Sequence, residues 1–145
     1  MWHKPATPIS FIVIRMKIIK ELKQDGFNGF ISVEDLKNSN CDQLPNVKGV
    51  YIVIRTDKSF PTFLRFSRAS KFKGKDPTVS TKKLKEKWVK NSNIIYIGKA
   101  GGKEHLTTLK TRIKNYIEFG SGKSKTHWGG RYIWQLSDTS VLAHK

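Results

Sequence analysis

Two apolar runs constrain what this chain can fold into. From Val47 to Arg55 the sequence "VKGVYIVIR" is nearly continuous in β-branched and aromatic residues, and a second run, "IIYIG" from Ile94 to Gly98, repeats the pattern. Runs of this length, bounded by Pro, Asn and Gly, are strands rather than helices. In the first, Val50, Ile52 and Ile54 alternate with Tyr51 and Val53, and both faces are apolar, which calls for a strand buried on both sides. In the second, Ile95 and Ile97 share one face and Tyr96 takes the other. Pairing the two strands can therefore bring Tyr51 and Tyr96 to one side of a sheet, with the register deciding whether it does.

Helical periods flank the strands. "MKIIKELKQ" from Met16 spaces Ile18, Ile19 and Leu22 as one face of an amphipathic helix, and "SVEDLKN" offers Ser32 as an N-cap with Asp35 three residues on. Residues 1–15 are expected to be an extension, with Met16 as an alternative start, and 16–46 a helical segment ended by "LPNVKG". After "GKAGG" the period returns to 3.6: Leu106, Leu109, Ile113 and Ile117 predict a helix over 104–119, with Arg112 and Tyr116 side by side at its edge. Tyr132 to Leu136 has the composition of a third strand. The expected architecture is an α/β (α+β) domain over 47–145, a three-stranded central sheet flanked by helices.

The two strands are separated by a long insertion, 56–92, which is where a compact domain carries function or mobility. Between Arg68 and Lys90 it is dense in lysine and broken only by Asp76 and Glu86, and 78–90 reads as a short helix with Val79, Leu84 and Trp88 as apolar anchors. The whole chain has 28 Lys and Arg against 11 Asp and Glu, a formal charge of +17. So large an excess of one sign repels itself unless it meets a polyanion, and nucleic acid is the expected partner. Arg68, Lys71, Lys73, Lys82, Lys83, Lys87, His127 and Arg131 are the residues expected to touch it.

Other chemistries are disfavoured. One cysteine, Cys41, excludes an internal disulfide and a cysteine-rich zinc site, and suits a reducing, cytoplasmic setting. "ISFIVI" at 9–14 is too short to span a membrane, so no membrane association is expected. "GSGKS" at 120–124 lacks the leading glycine of a phosphate-binding P-loop and follows a helix, so nucleotide hydrolysis is set aside, and no small-molecule cofactor is expected. The four histidines show no metal-ligand spacing.

"GVY" at 49–51, "YIG" at 96–98, and then Lys99, Arg112 and Tyr116 in order resemble the GIY-YIG nuclease family. "YIGKA" followed by "LKTRIKNY" is similar to the nuclease domain of bacterial excision-repair incision enzymes. The resemblance runs from about Gly49 to Leu136, interrupted by the insertion. It implies hydrolysis of a DNA phosphodiester with one divalent metal, Mg²⁺ or Mn²⁺, and Tyr51, Tyr96, Lys99, Arg112 and Tyr116 as catalytic residues. In that scheme Tyr51 or Tyr96 takes a proton from the attacking water, and Lys99 lowers the phenol's pKa. Arg112 grips the phosphate, and Tyr116 bonds the phosphate or holds Arg112.

The resemblance also implies a metal-holding glutamate on a helix beyond the third strand, for which this sequence offers no match; Asp138 is the only carboxylate after Glu118. Glu104 and Glu118 are expected on the arginine-bearing helix and do not match that position. The expected function is thus a GIY-YIG-type DNA endonuclease missing its C-terminal part and weakly active or inactive as this chain. The alternative is a non-catalytic basic DNA-binding module that keeps the fold. Either way, binding to DNA should weaken steeply as salt rises, because each neutralised phosphate releases a counterion. Titration of a labelled duplex at increasing salt measures this, and an affinity that barely moves would contradict it.

Overall fold

The computed structural model describes residues 8–57, 59–104, 106–123, 127–138 and 140–145. Part of the expected extension, 1–7, lies outside the described residues. The elements run α1 Pro8–Gln24, β1 Asn28–Ser32, α2 Val33–Asn38, β2 Gly49–Ile54, α3 Thr81–Lys87, β3 Ile94–Ala100, α4 Leu109–Gly120, a 3-10 turn Trp128–Tyr132, and β4 Val141–His144. The strands form one antiparallel sheet of order β1-β4-β2-β3, so the protein is a small α+β fold.

The central strand is β2, hydrogen-bonded to β3 on one edge and β4 on the other. Its alternation divides the interior as the sequence demands. Tyr51 and Val53 face a core built with α2 and α4 through Leu36, Leu109, Ile113, Tyr116 and Ile117, while Ile52 and Ile54 face a smaller core under α1 through Ile18, Leu22 and Phe27. Tyr51, Ile52, Val53 and Ile54 are all buried.

The sheet has four strands rather than the expected three, and Tyr132–Leu136 is not one of them. "HWGGRY" winds into the 3-10 turn, because Gly129 and Gly130 allow close coiling and the following aromatics pack inward; Leu136 makes one isolated bridge to Phe63. The strand that pairs with β2 is β4, and β1 completes the sheet from within the segment read as helical. Both were missed because "NGFIS" contains a glycine and "VLAH" is short and weakly β-forming. Upstream, the helix read from Met16 begins at Pro8, whose fixed φ suits a first helical turn, so residues 8–15 belong to α1. Ser32 caps α2 as expected, its hydroxyl accepting from the Asp35 N–H at 3.0 Å.

A bulge alters the second strand's alternation. Val53 pairs with Tyr96 and the next residue, Ile54, pairs with Ile94, leaving Ile95 as the extra residue. Ile95 consequently packs with the Tyr96 core instead of sharing a face with Ile97, which is exposed.

The insertion is folded onto the domain. Val79 and Leu84 are buried as anchors, and the α3 helix is capped by Ser80. Arg55, buried at the exit of β2, donates from Nε to Asp138 at 2.7 Å and from Nη1 to the Asp57 and Ser59 carbonyls. Gln135 is the main clip. Its side chain is fully buried, accepts from the Val79 N–H at 2.7 Å and donates to the carbonyls of Leu64 and Val79 at 2.9 and 2.8 Å. Replacing Gln135 with Leu keeps the volume but strands a buried N–H and two carbonyls. Urea unfolding should show a loss of about 1–3 kcal/mol, and an unchanged midpoint would refute the clip.

Candidate functional site

The site begins where Tyr51 crosses β3. In the register, Tyr51 lies opposite Gly98 and Val53 opposite Tyr96, so both tyrosines stand on one face, their ring centroids 6.1 Å apart. A Cβ at Gly98 would overlap the Tyr51 phenol. The glycine of "YIG" thus makes room for a tyrosine ring.

His127, from the loop before the 3-10 turn, drops into the same core and meets Tyr51, with Oη and Nε2 2.6 Å apart. Its ring sits 5.7 Å from Tyr96 and 5.2 Å from Tyr116, edge-on to both, and Tyr116 stacks on Tyr96 at 6.1 Å. Gly129 and Gly130 let the loop come this close: a Cβ at Gly130 would stand 2.9 Å from the Tyr116 ring. Three tyrosines and a histidine therefore form one aromatic cluster, covered by Trp134 at 4.7 Å from Tyr116.

Protonation follows from burial. Desolvation, reinforced by the neighbouring Tyr96, raises the Tyr51 pKa well above that of a free phenol, and the positive field of Arg112 only partly offsets this. Tyr116 is likewise raised, by its burial first and then by Tyr51 and Tyr96. Burial, with Arg112 adding repulsion of a second positive charge, pushes His127 down from 6.5 to about 4. The imidazole is neutral near neutral pH, and its tautomer decides which partner donates in the Tyr51–His127 hydrogen bond.

Beside this cluster the end of β3, the following loop and α4 enclose a cleft of about 580 Å³, lined by Lys99, Gly101, Gly102, Lys103, Glu104, Thr107 and Arg112. Thr108 starts α4 by accepting from the Thr111 N–H at 3.3 Å, which fixes Arg112 one turn in. Glu104 precedes the helix rather than lying on it, because α4 begins only at Leu109. Lys48 ties down the loop, donating to the Gly102 carbonyl at 3.1 Å.

Of the residues singled out in the sequence, Lys99 and Arg112 meet in this cleft, while Tyr51, Tyr96 and Tyr116 meet in the cluster behind it. Several expected roles change. Tyr51 and Tyr116 are completely buried, so Tyr116 does not face a phosphate in the cleft, and Tyr96, half-buried, is the accessible tyrosine. The expected lowering of the Tyr51 pKa by Lys99 does not occur. Lys99 pairs with Val50, on the opposite pleat from Tyr51, and the cation acting on Tyr51 is Arg112. His127 is 1% exposed and serves the cluster instead of a nucleic-acid surface. Its setting beside two glycines was the available signal. Arg68, Lys71, Lys73, Lys82, Lys83 and Lys87 are exposed; Arg131 is half-buried, donating to the Trp128 carbonyl and lying over the Trp128 and Tyr132 rings.

The donor set does not fit a resident Mg²⁺ or Mn²⁺. Glu104 is the one carboxylate lining the cleft, surrounded by Lys99, Lys103 and Arg112, and no group of three or more His, Cys, Asp and Glu suited to a metal occurs among the described residues. No described helix is long and apolar enough to cross a membrane. Comparison with known proteins finds no matching family model, no matching curated relative and no matching solved structure.

The Tyr51–His127 pair carries a pH signature. An unfolded chain takes a proton on this histidine near 6.5, whereas the folded chain resists it down to about 4, so stability is full above the window and falls as pH drops through it. His144, also lowered by burial, acts with the same sign. His127→Gln should remove up to about 3 kcal/mol of this acid-side loss. Thermal melts of both proteins across the window measure it, and parallel curves would disprove the assignment.

Proposed function

We propose that this chain binds DNA through the Lys99–Arg112 cleft and is built on the plan of a GIY-YIG-type phosphodiester hydrolase. The observation that carries the reading is the convergence of Lys99 from β3 and Arg112 from α4 on one cleft, against a buried Tyr51–His127 hydrogen bond. Arg112 offers a planar fork for two phosphate oxygens, and Lys99 with Lys103 adds mobile positive charge. The net charge of +17 and the exposed lysines of the insertion extend the same attraction along a strand.

Tyr96 is the half-buried member of the cluster, in reach of solvent where Tyr51 and Tyr116 are not, and is the phenol we assign to meet a water attacking a bound phosphate. Behind it, Tyr51 is held by His127, whose imidazole stays neutral beside Arg112, so the pair fixes the cluster while the positive charge remains in the cleft. Metal-assisted hydrolysis needs oxygen ligands beyond the single Glu104, so no step is assigned to a metal and strong catalysis is not expected of these residues alone. That same lack of a carboxylate cluster favours the second reading, a DNA-binding module that keeps the site's architecture without fast turnover.

Anisotropy with a labelled duplex and nicking of supercoiled DNA with Mg²⁺ or Mn²⁺ test both. Arg112→Ala should weaken binding by about tenfold or more, the loss of a charged hydrogen bond, and nicking should be slow or absent. Unchanged binding in Arg112→Ala would refute the cleft. Rapid nicking abolished by Arg112→Ala and by Tyr96→Phe would replace the binding-module reading with that of a complete hydrolase.

A further inference from the structure

A second cavity, of about 340 Å³, lies between α3, β3 and the 3-10 turn, walled by Phe63, Trp88, Ile95, Tyr96 and Tyr132 with Lys87 at its edge. Apolar space of this size is out of place in a packed interior, and this one reaches the surface at Val89, which is 68% exposed. Its walls are aromatic and come from separate segments. Phe63 meets Trp88 edge to face at 6.0 Å and 74°, and the Arg55 guanidinium lies over the Trp88 ring at 5.5 Å, holding the indole in place. Tyr96 lines this cavity and also belongs to the ring cluster whose Tyr51 and His127 feel the Arg112 charge, so the cavity opens on the face of the sheet that α4 covers. The bulge in β3 contributes by turning Ile95 toward the same face as Tyr96.

We propose that this cavity receives one unstacked nucleobase from the strand whose phosphate occupies the Lys99–Arg112 cleft. Charge argues for this occupant over an apolar protein side chain. The mouth is bordered by Lys87, α3 carries Lys82, Lys83 and Lys85 beside it, and the whole chain is strongly positive, so the ligand that reaches the cavity is anionic yet must present a flat apolar face. A nucleotide does both. Every base has a π-face for Trp88 and Tyr96, so stacking here is tolerant of sequence. The insertion between β2 and β3 thereby acquires a purpose: it supplies Phe63, Trp88 and Lys87.

This inference rests on the reading of the cleft as a phosphate site, and the experiment separates the two. The affinity of the full chain is measured for a short oligodeoxythymidine and for an abasic sugar-phosphate strand of equal length, at several salt concentrations. The protein should prefer the base-bearing strand by about tenfold or more, the size of a stacking contact. Trp88→Leu, which keeps apolar bulk, and Val89→Glu, at the exposed lip, should bring the two affinities together, whereas Arg112→Ala should weaken both strands alike. Circular dichroism identifies which variants are folded, and the exposed Val89 site keeps one variant available if Trp88→Leu unfolds. Equal affinity of the unaltered protein for both strands, with steep salt dependence, overturns the base cavity and leaves the phosphate cleft standing. A preference that survives in a folded cavity variant also overturns it. Failure to bind either strand overturns both readings.

Discussion

The fold depends on β2 being paired on both edges and buried on both faces. Four consecutive residues, Tyr51–Ile54, divide their side chains between two cores, and neither core closes without them. Because side chains alternate strictly, a slip of one residue would send Tyr51 under α1 and Ile52 into the aromatic cluster. Gly98 guards against that slip. The only place where the Tyr51 ring can lie across β3 is the position without a Cβ, so the site and the register are specified by one contact.

The aromatic cluster is assembled at some expense to stability. Among the described residues the Tyr116 hydroxyl, His127 Nδ1 and the Trp134 indole N–H are buried without hydrogen-bond partners. Each such group costs about 1–3 kcal/mol when removed from water, and all three sit in or against the cluster. Concentrating unpaired polar atoms around one pair of rings is what a site tolerates and an ordinary core avoids. The neighbouring Arg112 then works on a low-dielectric background, where its field reaches both Tyr51 and His127.

Much of this was readable from the residues. The continuous apolar character of β2 announced a strand buried on both sides, the 3.6 period found α4, and Ser32 announced the start of α2, because each signal is local. What escaped was set by distant partners. β4 is four residues long with a histidine at its end, and only its position between β1 and β2 makes it a strand. The aromatic run after Trp128 looked like a strand because packing residues have the same composition whether they line a sheet or a turn. His127 carried no spacing signal, since its partner Tyr51 is 76 residues away. Lys99 and Arg112 were found as a pair, yet their separation from the buried phenols followed from the pleat and from the late start of α4, neither of which a motif encodes.

The strand order also has a consequence for how the protein is made. Among the described residues β1 has no strand neighbour except β4, and β2 lacks one edge until β4 arrives. On the ribosome, β1 therefore emerges long before the strand that binds it, while Leu22, Phe27 and Phe30 wait for the cover of Val141 and Ala143. The sheet cannot close vectorially. Its last two ladders form only when His144 clears the exit tunnel, and until then the nascent chain presents an unpaired edge and an open apolar face of the kind that chaperones hold.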